Sequence, residues 1–274
     1  MMKIQFIRHA TTLVWVNNKK ILIDPLLGSK GAYSPIEKVT NQNPNPLTDL
    51  PISLDEIIDC DAILVTHLHR DHFDQAAIEN LPKHIELFCQ PQDTKALLAY
   101  GFSKVSPVKD TLIWEGINFY RTNGRHGHGV LALKMAPVSG FVIKAPDEPI
   151  LYILGDTVWC KDVEIALATF NPDIAISNCG RAQFACGKPI TMGEKDIHKV
   201  RIKAPHMKLI CIHMEAWNHC GLLREDLKTY VALHKLTDVI IPNEGDLFEF
   251  LMSVKTNAYY IGNNIDNNTS YQNR

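Results

Sequence analysis

The chain has 274 residues, 46% of them hydrophobic and 21% charged, with a formal net charge of −2. That length leaves one or two domains open and supplies an ample core, while the composition excludes collagen-like and disordered chains. Lys and Arg are scattered, so a nucleic-acid surface is not favoured; no apolar run nears the ~18 residues of a membrane span and MMKIQFIRHA lacks a signal-peptide core, so a cytoplasmic protein is expected.

In chain order, KIQFIR, TTLVWV and KILIDP read as a strand meander that turns at Asn17 and Asn18 and ends at Asp24. Residues 25–50, rich in Gly, Pro, Asn and Ser, are too long for a connector and read as a lid or substrate-facing insertion. Ser53 and Glu56 fit a capping box, placing a short helix on SLDEIIDC before the strand AILVTH. FDQAAIENL reads as a helix, IELFCQ as a strand, and TKALLAY as a helix stopped by Gly101. TLIWEGINFYRT and GFVIKAPDEPILYILGDT read as hairpins, turning at Glu115 and Gly116 and between Pro146 and Pro149. From Asp162 helices and strands alternate: VEIALATF then DIAISN, EKDIHKVRI then KLICIH, LREDLKTYVALHKL then DVIIP. Two halves with this outline predict two sheets face to face with helices outside, in one domain over 1–262, followed by a polar tail over 263–274.

The seven cysteines, Cys60, Cys89, Cys160, Cys179, Cys186, Cys211 and Cys220, form no C-x-x-C pair and read as reduced, mostly buried thiols.

The chemistry concentrates in VTHLHRDHFD. In a strand running into a loop, residues two apart share a face, so His67 and His69 offer imidazoles to one point. Asp71 and His72 follow after a turn, a spacing that suits two neighbouring metals better than one. Further ligands are expected at other strand ends: His126 or His128 in RHGHG, Asp156 in YILGDT, and His213 or His219 in HMEAWNHC. Asp156 could bridge two cations or merely cap a turn. His9 and Asp24 are expected behind the ligands, and Asp74 either orients a ligand or caps the following helix. Arg8, Arg70, Arg125 and Arg181 lie beside these motifs and could select an anion or sit on a hydrated rim. Asn178 is a further candidate pocket group. His84, His198, His206 and His234 have no such placement and read as surface or helix residues.

The segments IRHATTLVWVNNKKILIDP, THLHRDHFD, TNGRH, LYILGDT, ITMGEKD and ICIHMEA fall in family order across most of residues 3–245. On them the chain resembles the metallo-β-lactamase fold hydrolases, within them the ascorbate-6-phosphate lactonase-like and N-acylphosphatidylethanolamine phospholipase D-like branch. The resemblance implies an α+β protein, a four-layer αββα sandwich of two mixed sheets with helices outside. It implies that His67, His69 and His126 hold one metal, that Asp71, His72 and His213 hold another, and that Asp156 bridges them together with a water or hydroxide. TNGRH aligns with the family's third-histidine segment, which favours His126 over His128; the latter is kept with Arg8, Asn178 and Arg181 as a substrate contact. His213 closes its strand and is preferred to His219, which is then free as a proton donor or substrate contact.

The di-iron members carry glutamate where this chain has His69, members with a cysteine ligand have a different second-metal set, and Arg8 stands where the family has glycine. The expected protein is a hydrolase with two divalent metals, zinc first and manganese or iron as alternatives. A metal-activated hydroxide would attack a small, anionic ester, lactone or phosphodiester, with Asp71, Asp156 and His219 as the catalytic candidates. A nuclease of the same superfamily and a non-catalytic metal sensor are the alternatives, and a homo-oligomer is left open.

Overall fold

The computed structural model describes residues 1–135 and 137–252 and the backbone of 259–262; the tail expected over 263–274 lies outside the described residues. The opening meander forms as expected: β1 (Met2–Arg8), β2 (Thr11–Val16) and β3 (Lys19–Ile23) pair antiparallel. Three helix–strand units then extend the sheet in parallel. They are α1 (Leu54–Ile58) with β4 (Ala62–Val65), α2 (Gln75–Asn80) with β5 (Glu86–Cys89), and α3 (Thr94–Ala99) with β6 (Lys104–Pro107). Local chemistry marks the helix starts. The Ser53 hydroxyl accepts from the Glu56 amide at 3.3 Å, and Asp74 accepts from the Ala77 amide at 2.8 Å.

The second half repeats the plan. β7 (Thr111–Trp114) and β8 (Ile117–Asn123) form a hairpin whose two turn residues, Glu115 and Gly116, have φ 49 and 77, the left-handed pair of a tight hairpin turn. After α4 (Gly129–Met135), β9 (Ser139–Lys144) and β10 (Leu151–Ile153) complete an antiparallel set. Then α5 (Lys161–Phe170) with β11 (Ile174–Asn178), α6 (Glu194–Lys203) with β12 (Lys208–Ile212), and α7 (Arg224–Leu233) with β13 (Val239–Ile240) add three parallel strands. The chain finally returns to the first sheet, where β14 (Leu247–Leu251) pairs with β1 and β15 (Tyr259–Gly262) pairs with β14.

The sheet orders are β15-β14-β1-β2-β3-β4-β5-β6 and β13-β12-β11-β10-β9-β8-β7. One apolar cluster, including Ile4, Phe6, Leu64 and Phe88 from one sheet and Phe119, Phe141, Ile176 and Ile210 from the other, fills the space between them. Two further clusters pack the outer face of each sheet against its own helices, which makes the α+β, four-layer αββα sandwich. Covered on both faces, β4 buries all four of its residues, as a central parallel strand must. Four of these elements escape the sequence patterns. They are β6, a short strand ending in proline, α4, which buries none of its residues, β14, where only Phe248 and Phe250 turn inward, and β15 beside it. Among the described residues, no helix is long and apolar enough to cross a membrane.

Candidate metal centre

Each of six strands, β1, β3, β4, β8, β10 and β12, ends at the same edge of the sandwich, and each is followed by residues of the predicted site. His9 follows β1, Asp24 follows β3, and His67, His69, Asp71 and His72 follow β4; His126, Asp156 and His213 follow β8, β10 and β12. The chain must turn sharply there: His9, Asp24 and His213 have φ 58, 45 and 73, left-handed values that side chains adopt at a cost. Gly155 (φ +66) permits the turn before Asp156, because a Cβ there would lie 2.5 Å from the Ser139 carbonyl oxygen.

The side chains converge in three overlapping groups, each with its ligand atoms within 4.8 Å of one another: His67, His69 and His126; His67, His72 and Asp156; and His9, Asp71, His72 and His213. The Asp156 carboxylate is split between two sides. Its Oδ2 lies 3.4 Å from His126 Nε2, and its Oδ1 lies 3.3 Å from His72 Nε2 and 3.4 Å from His213 Nε2. His67 Nε2 and His69 Nδ1 are 2.9 Å apart, and Asp71 Oδ2 lies 3.6 Å from His213 Nε2. Donors about 2.0–2.1 Å from a tetrahedral zinc are roughly 3.3 Å from one another, so these spacings fit nitrogen and oxygen atoms sharing cations.

The outward ring nitrogens have partners of their own. Thr66 Oγ1 donates to Asp24 at 2.7 Å and so accepts from His67 Nδ1 at 3.1 Å; His72 Nδ1 donates to Asp24 Oδ2 at 2.8 Å, and His126 Nδ1 to the Ile190 carbonyl at 2.8 Å. Those bonds turn the Nε2 atoms of all three rings inward. The thiol of Cys220 lies 3.6 Å from His213 Nδ1. His9 Nε2 lies 3.0 Å from Asp71 Oδ2, and its ring lies over that of His213, with centroids 3.6 Å apart and planes tilted by 35°.

Charge follows geometry. Burial, reinforced by neighbouring imidazoles, pulls His67 well below the ordinary histidine range. Burial opposes charge on His72 as well, but Asp156 and Asp24 outweigh it and push it well above that range. Burial would likewise favour neutral carboxyls, yet hydrogen bonds from His213 and His9 hold Asp71 well below its usual value, and His213, His72 and His126 do so for Asp156. His219, pulled down to about 4 chiefly by burial, is a neutral imidazole near neutrality.

Above the cluster lies a cavity of about 300 Å³ whose lining includes His69, Arg70, Asp71, His126 and His219 together with Pro35, Ile36, Met135, Phe184 and Trp217. The 25–50 segment thus roofs the cluster. Asn218 holds it there, accepting from the Ile36 amide at 3.0 Å and donating to the Ile36 and Asn41 carbonyls at 3.0 and 2.7 Å.

Two expectations give way, and a third resolves between its alternatives. Arg8 is no substrate contact: its buried guanidinium donates to the carbonyls of Thr48, Leu26 and Gly28 at 2.7–2.8 Å, tying down the roof. Asn178 is buried and donates to Asp156 Oδ1 at 2.8 Å, steadying that carboxylate from behind. Asp74 takes the second of its two expected roles: it caps α2, and it also accepts from the Leu27 and Gly28 amides and the Tyr33 hydroxyl. Arg181 and His128 line a separate, neighbouring cavity, and Arg181 pairs there with Glu194 at 3.3 Å. Thr66, Met135, Phe184 and Trp217 belong to the site although no sequence motif marks them. Thr66 stands beside His67 and could have been inferred; the others carry no local signal.

Residues 19–214 match the β-lactamase superfamily domain. The chain is 42% identical over 254 residues to UPF0173 protein YddR of Bacillus subtilis (strain 168), covering 91% of this chain and 100% of that one. Among solved structures, it is similar to a possible metal-dependent hydrolase from Veillonella parvula DSM 2008, with TM-score 0.87 and 35% identity over 90% of this chain and 98% of that one. It is also similar to an isothiocyanate hydrolase from Delia radicum gut bacteria, with TM-score 0.87 and 32% identity over 91% of this chain and 100% of that one.

Proposed function

The chain belongs to the β-lactamase superfamily and, within it, to the UPF0173 metal-dependent hydrolases, and from that premise we propose that its buried His/Asp cluster is a binuclear centre hydrolysing a small substrate. The observation that carries this reading is the split Asp156 carboxylate, one oxygen toward His126 and the other toward His72 and His213. His67, His69 and His126 would hold one cation and Asp71, His72 and His213 the other, with Asp156 shared; zinc suits these donors first, manganese or iron next. When bound, such a pair makes water nucleophilic near neutral pH and offsets charge that grows on the electrophile.

The remaining work falls to side chains. Asp24, Thr66 and the Ile190 carbonyl keep three imidazoles in one tautomer, so no ligand reorganises during turnover. Asp71 and the neutral His219 ring line the cavity, the first to accept a hydrogen bond from attacking water and the second to donate one to the leaving group. Arg70, on the same wall and over the Tyr33 ring, is the contact for an anionic group. The substrate in this reading is a small anionic ester, lactone or phosphodiester, as the lactonase-like and phospholipase D-like resemblance implies. We read residues 1–262 as the single domain carrying this activity, and the seven free cysteines suit a reducing, cytoplasmic setting.

An uncharged electrophile such as an isothiocyanate is the second reading, favoured by the apolar walls Pro35, Ile36, Met135, Phe184 and Trp217 and by the activity of the Delia radicum relative. The metal-loaded protein assayed on an ester, a lactone, a phosphodiester and an isothiocyanate separates the two. His67→Ala and Asp156→Ala should each lose bound metal by elemental analysis and hydrolysis together; full turnover by a metal-free variant overturns the proposal.

A further inference from the structure

A second cavity, of about 820 Å³, lies beside the one over the ligand cluster, and two residues line both, Phe184 and His219. The backbone runs from one to the other: Trp217 lines the inner cavity, His219 lines both, and Cys220 and Gly221 line the outer one. The roof makes the same passage, with Ser34, Pro35 and Ile36 over the inner cavity and Val39, Thr40 and Asn41 over the outer. Asn218 bonds both sides of that boundary, at Ile36 and at Asn41. The strip carrying Phe184 is fastened to both walls, since the Gln183 amide donates to the His219 carbonyl at 3.0 Å and the Ala185 amide to the Lys38 carbonyl at 2.9 Å. Backbone bonds therefore hold Phe184 beside His219, and their rings stand 6.3 Å apart.

The two cavities differ in chemistry. The inner one is small, with the apolar walls Pro35, Ile36, Met135, Phe184 and Trp217 standing over the ligand cluster and Arg70 as the guanidinium on its rim. The outer one carries two ion pairs, Arg181 with Glu194 at 3.3 Å and Lys199 with Asp196 at 2.9 Å, and also the exposed Lys195, which makes no ion pair with the described residues.

We infer that the outer cavity is a second substrate subsite, reached through a neck formed by Phe184 and His219, and that it takes a polar arm ending in a carboxylate or phosphate opposite Lys195. The inference deepens the hydrolase reading and rests on it for the statement that the substrate's other half reacts over the ligand cluster. It adds to the Arg70 contact a second place for negative charge, at Lys195 in the larger compartment. Lys195 is exposed, so its effect has the size of a surface ion pair, roughly fivefold in affinity.

The test uses the metal-loaded full chain and two amide probes, glutaryl-4-nitroanilide, whose arm ends in a carboxylate, and butyryl-4-nitroanilide, whose arm is neutral, with binding read by titration calorimetry. The glutaryl probe should bind more tightly, Lys195→Glu should cut that preference roughly fivefold, and Phe184→Trp, which narrows the neck, should weaken it more than the short acetyl-4-nitroanilide. Equal affinities in the unmodified protein, a preference that survives Lys195→Glu, or equal weakening of long and short probes by Phe184→Trp overturns the subsite. The matching 4-nitrophenyl esters separate the two ideas. Binding preference without ester turnover overturns the hydrolase reading and leaves the subsite standing, whereas turnover without preference does the reverse.

Discussion

At the scale of single residues, His72 shows how the site is prepared for cations. Its Nδ1 is bonded to Asp24 and its Nε2 faces Asp156, and the two carboxylates overcome burial to hold a proton on the ring. A cation must displace that proton, since imidazole ligates only when neutral. The sign is therefore fixed: His72 binds its proton more strongly than an ordinary histidine, so acid competes with metal and affinity rises with pH until His72 is deprotonated. Zinc titrated into the chelated protein should release protons, seen as a binding enthalpy that varies with the ionisation enthalpy of the buffer; a buffer-independent enthalpy contradicts this. Arg8 is a different case, because its pattern neighbours suggested a substrate contact and its partners proved to be three carbonyls of the roof. Arg8→Met leaves those acceptors unpaired and should lower stability by about 3 kcal/mol in urea denaturation. A raised KM at undiminished stability would return Arg8 to the substrate.

At the scale of elements, most of the fold is legible locally. The Ser53 capping box, the Glu115-Gly116 hairpin and the alternating helix–strand units all lie where patterning puts them, because each depends on residues a few positions apart. β14 is not legible in that way. Its alternation has meaning only once β1 stands beside it, and β1 lies more than two hundred residues earlier. The roof over 25–50 has no period at all and is ordered by side chains from far away, above all Asn218. Asn218→Ala removes that clamp and should raise KM severalfold, with metal content intact, and lower stability by about 1–3 kcal/mol. Metal loss as the primary effect would show that Asn218 supports the ligands rather than the roof.

At the scale of the whole molecule, the centre joins the two sheets. His67, His69, Asp71 and His72 come from one, His126, Asp156 and His213 from the other, and the His213 amide donates across to the His9 carbonyl at 2.9 Å. Cations bound there would cross-link the sandwich along its edge. Metal at a hundred times its dissociation constant adds about 2.7 kcal/mol, so stripping it with a chelator should lower the melting temperature by roughly 5–10 °C. The shift should vanish in Asp156→Ala, and a chelator-insensitive melting temperature in the unmodified protein would contradict the cross-link. The sequence by itself determined which residues have the chemistry of a metal centre, since VTHLHRDHFD crowds three histidines and two aspartates at one strand end, and it determined the layering, since hydrophobic period is a local property. Only the tertiary structure decided how they are used. That Asp156 faces two sides, that Arg8 and Asn178 stand behind the site, and that Phe184 and His219 divide two cavities all depend on distances between strand ends far apart along the chain. Such distances follow from how two sheets pack, and no neighbouring residue encodes them.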